Sequence, residues 1–293
     1  MRTLVMTMAL MVLAAPVWAG TPIDKVTDAN PQGEVEVSNV AGEIKVKGWD
    51  KEQVKVTGTL GDGSERLVFE RDGRRTLIKV EMPQRSHHAD PSDLYVMVPE
   101  DSRVTATGVS ADITVEGVEG ALRIQTVSGE IDVEVFEEDV EAKTVSGDFE
   151  VRGHDKPALL TLTTVSGDGR VRDIRGELVV QSVTGSLDID SAELERARLR
   201  TTNGDIKLRT GLGRDARFDM EAINGDLRLD ILGEVDAEFD IETFNGSIDN
   251  SFGPDPVRTS KYAPGRELRF THGDGKARIR IKTLNGGVTL NGG

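Results

Sequence analysis

The stretch Thr126–Gly169 decides the fold, because it contains one short motif three times: Thr126-Val-Ser-Gly-Glu-Ile131, Thr144-Val-Ser-Gly-Asp-Phe149 and Thr164-Val-Ser-Gly-Asp-Gly169. Towards the C-terminus it continues as Ser182-Val-Thr-Gly-Ser-Leu187, Thr201-Thr-Asn-Gly-Asp-Ile206, Ala222-Ile-Asn-Gly-Asp-Leu227, Thr243-Phe-Asn-Gly-Ser-Ile248 and Thr283-Leu-Asn-Gly-Gly-Val288. Two weaker copies precede it, Ser38-Asn-Val-Ala-Gly-Glu-Ile44 and Gly108-Val-Ser-Ala-Asp-Ile113. The central glycines are 18, 20, 18, 19, 21, 21 and 40 residues apart. The repeat is therefore close to 20 residues long, and its last interval is about double.

Residues between the motifs alternate with period two. Ala216, Phe218 and Met220 fall on one face, and Arg217 and Asp219 fall on the other. Alternation of this kind predicts a half-buried β-strand. Each repeat is thus predicted to contain a strand, a tight turn at Ser-Gly or Asn-Gly, a second strand and a looser connection.

Two arrangements of these strands are compatible with the pattern. Asn-Gly between alternating strands is typical of a type I′ hairpin turn, in which both central residues have positive φ, and this favours an antiparallel meander. The inward positions, however, match in kind from repeat to repeat, and stacked small polar side chains can hydrogen-bond along a ladder. The sequence therefore favours an all-β fold, a β-solenoid of stacked two-strand units, with the antiparallel β-meander as the alternative.

The chain is predicted to begin with a secretory signal peptide at residues 1–19. Arg2 precedes an apolar stretch, and Val17-Trp18-Ala19 resembles a cleavage site. A membrane anchor is the alternative, but the apolar run is shorter than the ~20 residues that span a bilayer. Residues 20–100 are then interpreted as an N-terminal β region or cap, and residues 101–293 as the repeat array, with an insertion at 250–275.

The composition limits the classes of partner. The net charge of −15 argues against binding to nucleic acid or anionic lipid, both of which need a basic surface. Cysteine is absent, which excludes disulfides, cysteine catalysis and a lipid-modified N-terminal cysteine. After the signal peptide no apolar stretch is long enough to span a membrane. The predicted partner is an unknown envelope or surface protein or polymer.

The repeated Thr-Val-Ser-Gly-Asp and Thr-Asn-Gly-Asp-Ile units, preceded by Asp93-Leu-Tyr-Val-Met-Val-Pro99, resemble a bacterial family of unknown function that carries the label putative adhesin. The resemblance covers roughly residues 33–293. It implies an exported or envelope-associated β-solenoid-like domain without an assigned catalytic site, and it supplies no functional residues. The insertion at 250–275 departs from the family pattern.

A column of acidic residues follows the turn glycines and is the first candidate metal site. Ca²⁺ could relieve the repulsion between stacked carboxylates, since it takes several carboxylate and carbonyl oxygens. The preferred interpretation is that each carboxylate bonds local backbone and pairs with a basic residue such as Lys207 or Arg228. The column contains Glu130, Asp148, Asp168, Asp205 and Asp226.

A second candidate metal site is a polar loop with His87, His88, Asp90 and Asp93, for which a solvated loop is preferred because adjacent histidines usually point apart. His154 and His272 are isolated. Because the turn serines recur as an array and no nucleophile-elbow motif is present, no catalytic, cofactor-binding or metal-binding residue is predicted. The aromatic residues that could stack on sugars are Trp49, Tyr95 and Tyr262.

Three hypotheses for function follow. The preferred one is a non-enzymatic exported envelope or secreted repeat protein, an adhesin-like scaffold for surface or protein interaction, either periplasmic or extracellular. The alternatives are a polysaccharide-active β-helix enzyme, which would need a unique cluster of carboxylates on one face, and a calcium-dependent structural module.

The turn glycines give a stability prediction. Gly225→Val is expected to loosen the units around Gly204 and Gly246, because the backbone at the turn needs positive φ. Gly225→Ala is expected to be milder. Asp226→Ser is expected to be nearly silent, since serine takes that place in other repeats.

Overall fold

The computed structural model of the protein describes residues 20–83, 90–260 and 264–292. Within them 23 strands are joined by hydrogen bonds into one sheet. The strands are β1 (Thr21–Asp28), β2 (Glu34–Trp49), β3 (Gln53–Leu60), β4 (Arg66–Asp72), β5 (Arg75–Glu81), β6 (Ser92–Pro99), β7 (Arg103–Glu116), β8 (Leu122–Gln125), β9 (Ile131–Val135), β10 (Val140–Lys143), β11 (Phe149–Gly153), β12 (Pro157–Thr163), β13 (Gly169–Arg172), β14 (Arg175–Gln181), β15 (Leu187–Asn203), β16 (Ile206–Asn224), β17 (Leu227–Leu232), β18 (Ala237–Asn245), β19 (Ile248–Asn250), β20 (Val257–Arg258), β21 (Arg266–His272), β22 (Ala277–Asn285) and β23 (Val288–Gly292).

Neighbouring strands of the array are parallel, and each pairs with strands about one repeat away along the chain. β10 lies between β8 and β12, and β11 lies between β9 and β13. Phe149 is opposite Ile131 on one side and Gly169 on the other, so equivalent residues of the motif stack. The β-solenoid is confirmed. The antiparallel meander is wrong for the array, and among the described residues antiparallel pairs occur only at its two ends.

Two ladders run along the solenoid: ladder A holds the strands before each turn glycine and ladder B those after it. We call one strand of each, with the turn between them, a coil. The long strands β2, β7, β15 and β16 contribute one half to each ladder. From the N-terminal end, ladder A has the order β4, β5, β2, β7, β8, β10, β12, β14, β15, β16, β22, β18, β21, β20. Ladder B has the order β1, β3, β6, β2, β7, β9, β11, β13, β15, β16, β17, β23, β19.

The core lies between the two ladders and follows the predicted alternation. Ala216, Phe218 and Met220 are buried, whereas Arg217 between them is exposed. Full burial of an apolar side chain of this size contributes roughly 1.5–3 kcal/mol. The buried apolar residues form one continuous cluster along the solenoid, so the ladders share a single core.

The turn glycines stack with backbone against backbone. A Cβ built on Gly225 would lie 2.0 Å from the carbonyl oxygen of Gly204, and the φ of Gly225 is +156°. Gly204 has the same relation to Gly185, with a distance of 2.0 Å. The predicted positive φ is confirmed at Gly225, but the close approach is a second requirement. It applies to alanine as well as to valine, so Gly225→Ala is expected to be costly too, and its being milder than Gly225→Val stays a prediction.

The turn asparagines hydrogen-bond along the stack through their side chains. Asn224 Nδ2 donates to Asn203 Oδ1 at 2.7 Å, and Asn285 Nδ2 donates to Asn224 Oδ1 at 2.8 Å. Asn245 continues the series by donating to Asn285 at 2.9 Å. In the described chain the non-glycine residues with positive φ are Asp155, Asp173 and Asp215. The type I′ geometry is therefore wrong for these turns, and the asparagines serve as a ladder.

The last coil of the sequence, β22 with β23, lies one position inside the end of the array. β22 is parallel to β16 on one side and to β18 on the other, and β23 lies between β17 and β19. The interval between Gly246 and Gly286 is doubled because the chain between them passes over the end coil and then returns to form β22. The neighbours of Gly225 are thus Gly204 and Gly286, and the expectation that Gly246 adjoins it is wrong.

The N-terminal end has the same arrangement. β2 lies between the coil of β5 and β6 and the coil of β7, although it precedes all of them in sequence. Antiparallel strands cover three of the four ladder ends: β4 on β5 and β3 on β6 at the N-terminal end, and β21 on β18 at the C-terminal end of ladder A. Because an exposed strand edge invites pairing with other chains, these strands protect the stack.

The charges on the outer face of ladder A agree with the inserted order. If the coils were stacked in the order of the chain, β18 would pair directly with β16. That pairing would place Glu242 against Glu221 and Asp240 against Asp219. Like charges opposed across strands are destabilising. The basic strand β22 separates the two acidic ones. Its ion pairs to β18 are Arg278 with Glu238 at 3.4 Å, Arg280 with Asp240 at 3.5 Å and Lys282 with Glu242 at 2.8 Å.

We expect Gly225→Ala to destabilise the protein by about 3 kcal/mol or more, because the new methyl group meets a backbone carbonyl that cannot move away alone. In hydrogen exchange, protection should fall first in the coils of Gly204 and Gly286 and least in the coil of Gly129. The control is Gly73→Ala, where a Cβ has nothing within 4 Å and only the φ of +58° is unfavourable. Its cost should be about 1–2 kcal/mol. A neutral Gly225→Ala would contradict the stacking.

The charge order gives a second prediction. Lys282→Glu places three carboxylates in a row across β16, β22 and β18, so unfolding at low ionic strength should become about 1 kcal/mol easier. The loss should shrink in 1 M salt, since exposed charges are screened. Lys207→Glu is the control, because it makes the same charge change between one acidic and one basic neighbour, Asp188 and Arg228. Equal effects in chemical denaturation would argue against charge as a determinant of coil order.

Candidate functional site

An exposed apolar stripe runs along one edge of the solenoid, at the residue before the turn Ser or Asn of each coil. Val127, Val145 and Val165 are 48%, 47% and 46% exposed. In spatial order the apolar stripe contains Val40, Val109, Val127, Val145, Val165, Val183, Ile223, Leu284 and Phe244, with Thr202 between Val183 and Ile223. At a strand spacing of ~4.8 Å the nine intervals make the stripe ~43 Å long.

Strand alternation turns these side chains outward, and the stacked turns align them. Thr126 is buried, so the next residue, Val127, faces solvent. The carbonyl of Val127 accepts the N–H of Ser146 at 2.8 Å, and that of Val145 accepts the N–H of Ser166 at 2.9 Å. Because these bonds repeat from coil to coil, each valine lies directly over the previous one.

The extent of the apolar stripe is unusual for a protein surface exposed to water. Single exposed apolar side chains need no explanation, but long contiguous patches mark binding surfaces. A partner that covers the stripe would gain roughly 25 cal/mol for each Å² of apolar surface removed from water. The stripe is therefore the feature of the described surface best suited to binding another molecule.

Towards the C-terminal end the stripe borders a groove of about 840 Å³. Val183, Ile223 and Phe244 supply its apolar lining. Thr259 and Glu267, from the segment of β20 and β21, line it as well. The groove is thus open along the ladder and is bounded near the end of the solenoid by the antiparallel cap.

Charged residues of the groove are paired across coils. Arg200 Nε forms an ion pair with Glu221 Oε2 at 3.1 Å, and Lys282 donates to Glu242 at 2.8 Å. The hydrogen bond from Lys282 holds the pKa of Glu242 below its ordinary value, against the effect of burial. At neutral pH these side chains form a zwitterionic strip beside the apolar residues, without a large local charge of either sign.

The inward hydroxyls beneath the stripe fall into two groups. The Thr243 hydroxyl donates to the carbonyl of Gly286 at 2.8 Å, across to the neighbouring coil. The hydroxyls of Thr164, Ser182 and Thr201, which line the groove, are buried and have no partner in the described part of the chain. The expected polar ladder is therefore formed by the asparagine side chains. The threonine hydroxyls either donate to backbone carbonyls or have no hydrogen-bond partner in the described residues.

The acidic column bonds backbone of the adjacent coil. Asp148 accepts the N–H of Asp168 at 2.8 Å, and Asp226 accepts the N–H of Gly287 at 2.7 Å. These bonds offset the repulsion between stacked carboxylates. The expected backbone bond is present, but it reaches the next coil instead of local backbone. Serine at 226 would lose a charge-assisted bond, so Asp226→Ser is not the silent change expected above.

The other candidates do not form a site. His87 and His88 lie outside the described residues, and so does Tyr262. In the described ranges no group of three His, Cys, Asp or Glu side chains is placed to hold a metal ion. His154 stacks on Phe136 at 4.3 Å. Tyr95 is exposed and donates its hydroxyl to Glu43 at 3.0 Å, and Trp49 donates its indole N–H to backbone.

Sequence reasoning did not identify the apolar stripe, although the motif contains it. The valine of Thr-Val-Ser-Gly is part of the repeat motif, and strand alternation places it on the outer face. The available signal was an apolar residue at an outward position in almost every repeat. An apolar residue on the outer face departs from the alternation of buried apolar and exposed polar residues. Departures of this kind occur more often at functional sites than at positions selected for stability.

Comparison with known proteins agrees with the fold. The family model described as Toastrack DUF4097 matches residues 23–172, 137–220 and 175–291. No curated protein matches the sequence.

Solved structures from Bacteroides and Parabacteroides match most of the chain at low sequence identity. A putative adhesin from Bacteroides fragilis NCTC 9343 is 9% identical over 93% of this chain and 97% of its own, with a TM-score of 0.43. From Parabacteroides distasonis ATCC 8503, a putative lipid binding protein is 12% identical over 94% and 97%, with a TM-score of 0.49. A putative adhesin from the same organism is 13% identical over 92% and 97%, with a TM-score of 0.29. At these identities the likeness concerns the fold alone.

In the residues that the structure covers, no helix is long and apolar enough to cross a membrane.

We expect the apolar stripe to contribute little to stability. Replacing Val145, Val165 and Val183 together by threonine should change the free energy of unfolding by no more than about 0.5 kcal/mol per site, because the side chains are half exposed. Threonine already takes this place at Thr202. The control is Val151→Thr, a fully buried position, which should cost about 1–3 kcal/mol. A large loss from the stripe variant in thermal unfolding would show that the stripe belongs to the core.

Proposed function

This chain belongs to the Toastrack DUF4097 family, and we propose that it is a non-enzymatic exported scaffold of the cell envelope, adhesin-like in that it binds a surface or protein partner along the apolar stripe. The observation that carries the proposal is the exposed apolar edge, which crosses ten coils with one interruption at Thr202. A scaffold with an extended edge gains affinity from length, since each coil adds a similar contact.

Export is supported by the sequence of the N-terminal segment. The proposed signal peptide, residues 1–19, ends two residues before β1, which begins at Thr21 and pairs along its length with β3. We divide the rest into a cap at 20–100 and the array at 101–293 with its insertion at 250–275. A mature N-terminus near Gly20, determined by mass spectrometry after cell fractionation, would test the export step.

The absence of an enzymatic role is part of the proposal. Carboxylates of the array are used to bond backbone or to pair with arginine and lysine, as Asp148 and Glu242 illustrate. The turn serines stack in register from Ser128 to Ser166, and this repetition fits a structural role. Reproducible turnover of a neutral or acidic polysaccharide by the purified protein would overturn this part.

We expect the stripe to be required for binding to envelope material. In a pull-down from an envelope fraction, the variant with threonine at Val145, Val165, Val183 and Ile223 should recover at least about tenfold less partner, since each lost apolar contact weakens a shared interface.

The control for this pull-down is threonine at Val26, which is exposed but lies on β1, away from the stripe and its groove. It should bind like the unmodified protein. Equal recovery by the stripe variant, or no specific recovery by the unmodified chain, would argue against the scaffold.

A further inference from the structure

Five arginines gather in one shallow depression on the outer face of ladder A. The depression has a volume of about 510 Å³ and also contains two carboxylates, those of Glu177 and Asp219. This leaves a local excess of positive charge on a chain whose net charge is −15. The arginine patch, as we call it, consists of Arg196, Arg198, Arg217, Arg278 and Arg280.

Three of the arginines lie side by side on adjacent strands. Arg196 of β15 is opposite Arg217 of β16, which is opposite Arg278 of β22. With a strand spacing of ~4.8 Å, the column spans ~10 Å. Arg198 and Arg280 lie two residues further along their strands, about 7 Å away. The guanidinium groups therefore cover a compact area from which several can reach one ligand.

The column departs from the charge pattern of the surrounding array. Elsewhere arginines face carboxylates on the next strand, as Arg209 does Asp190 at 3.0 Å. In the described chain Arg198 and Arg217 make no ion pair, and Arg217 has an arginine on either side. Like charges directly opposed on strands cost stability. A locally unfavourable arrangement on an otherwise paired face indicates a binding role.

Carboxylates pair with the two outer arginines of the column, Glu177 with Arg196 and Glu238 with Arg278, but none pairs with Arg217 in the described residues. Asp219 lies in register between Arg198 and Arg280 but makes no ion pair with either, and its Oδ1 is buried without a hydrogen-bond partner in the described residues. The central guanidinium of Arg217 is thus available to an added acceptor.

We propose that the arginine patch binds a compact ligand that carries two or more phosphate groups, such as a diphosphate or two phosphates within ~10 Å. Arginine matches phosphate with paired, charge-assisted hydrogen bonds, and several such groups in a fixed array favour a multiply charged anion. The site goes beyond the proposed scaffold role. It is distinct from the apolar stripe, since Arg217 and Ile223 are six residues, or ~20 Å, apart along one strand.

The surroundings favour a compact anion over an extended anionic surface. Glu177 borders the patch on the N-terminal side, and the acidic strand β18 borders it on the other with Glu238, Asp240 and Glu242. A flat anionic bilayer that touched the arginines would also face these carboxylates, which would repel it. A small oligophosphate fits between them.

Titration calorimetry of the mature chain, residues 20–293, with inorganic pyrophosphate and with tripolyphosphate at low ionic strength tests the site. We expect binding that is stronger for tripolyphosphate and weakens with added salt. Arg217→Gln should weaken it by about tenfold, equivalent to about 1.4 kcal/mol. The variant should unfold at the same temperature as the unmodified protein or slightly higher, because a like-charge contact is removed.

The matched control is Arg170→Gln, an exposed arginine on β13 of ladder B with the same change in net charge. It should bind both phosphates like the unmodified chain. No binding by the unmodified chain would overturn the proposal, as would equal losses in Arg170→Gln and Arg217→Gln. A third arm uses vesicles with anionic phospholipid: vesicle binding that depends on Arg217, without binding of the soluble phosphates, would replace the compact ligand by a membrane contact. None of these outcomes depends on the stripe, so the scaffold proposal is tested separately.

Discussion

The close stacking of turn glycines is the constraint on which the rest of the molecule depends. With the carbonyl of one glycine only 2.0 Å from where a Cβ of the next would lie, successive coils are held at the spacing of a parallel ladder. That spacing aligns the asparagine side chains and lets each aspartate reach the N–H of the following coil. A side chain at the turn would separate the coils and remove all of these bonds together.

The same spacing makes the outer face of the solenoid a set of columns. A residue type that the sequence repeats at one outward position of each coil recurs every ~4.8 Å along the solenoid. Such a repeated residue type therefore forms a long row of like side chains. An apolar residue before the turn becomes a stripe across ten coils, and arginine at another position becomes a column of three. Function on such a surface needs no deep cavity, because extended partners and multiply charged ligands match a repeated surface.

Charge complementarity agrees with the order of coils at the C-terminal end at two of three register positions, Asp219 with Arg280 and Glu221 with Lys282, whereas Arg217 meets Arg278. β22 carries three basic outward residues and lies between β16 and β18, whose outward residues include five carboxylates. Insertion also gives the last coil hydrogen bonds on both edges, so that the end of the chain does not form the exposed end of the stack. The first long strand, β2, is held between two coils in the same way.

The sequence by itself determined the repeat, the strand alternation and the inward residues such as Phe218, because these depend on periods that are local in the chain. It favoured the solenoid but left the antiparallel meander open, and the parallel pairing of coils was decided by the structure. Tertiary structure decided which coils are neighbours. Chain order suggested that Gly246 lies beside Gly225, but the glycine that contacts Gly225 is Gly286. Pairing between strands far apart in sequence depends on the charges that meet across the strands and on covering the end strands of the solenoid. The arginine patch also depends on the order of coils. Arg278 lies against Arg217 because the last coil is inserted between two earlier ones.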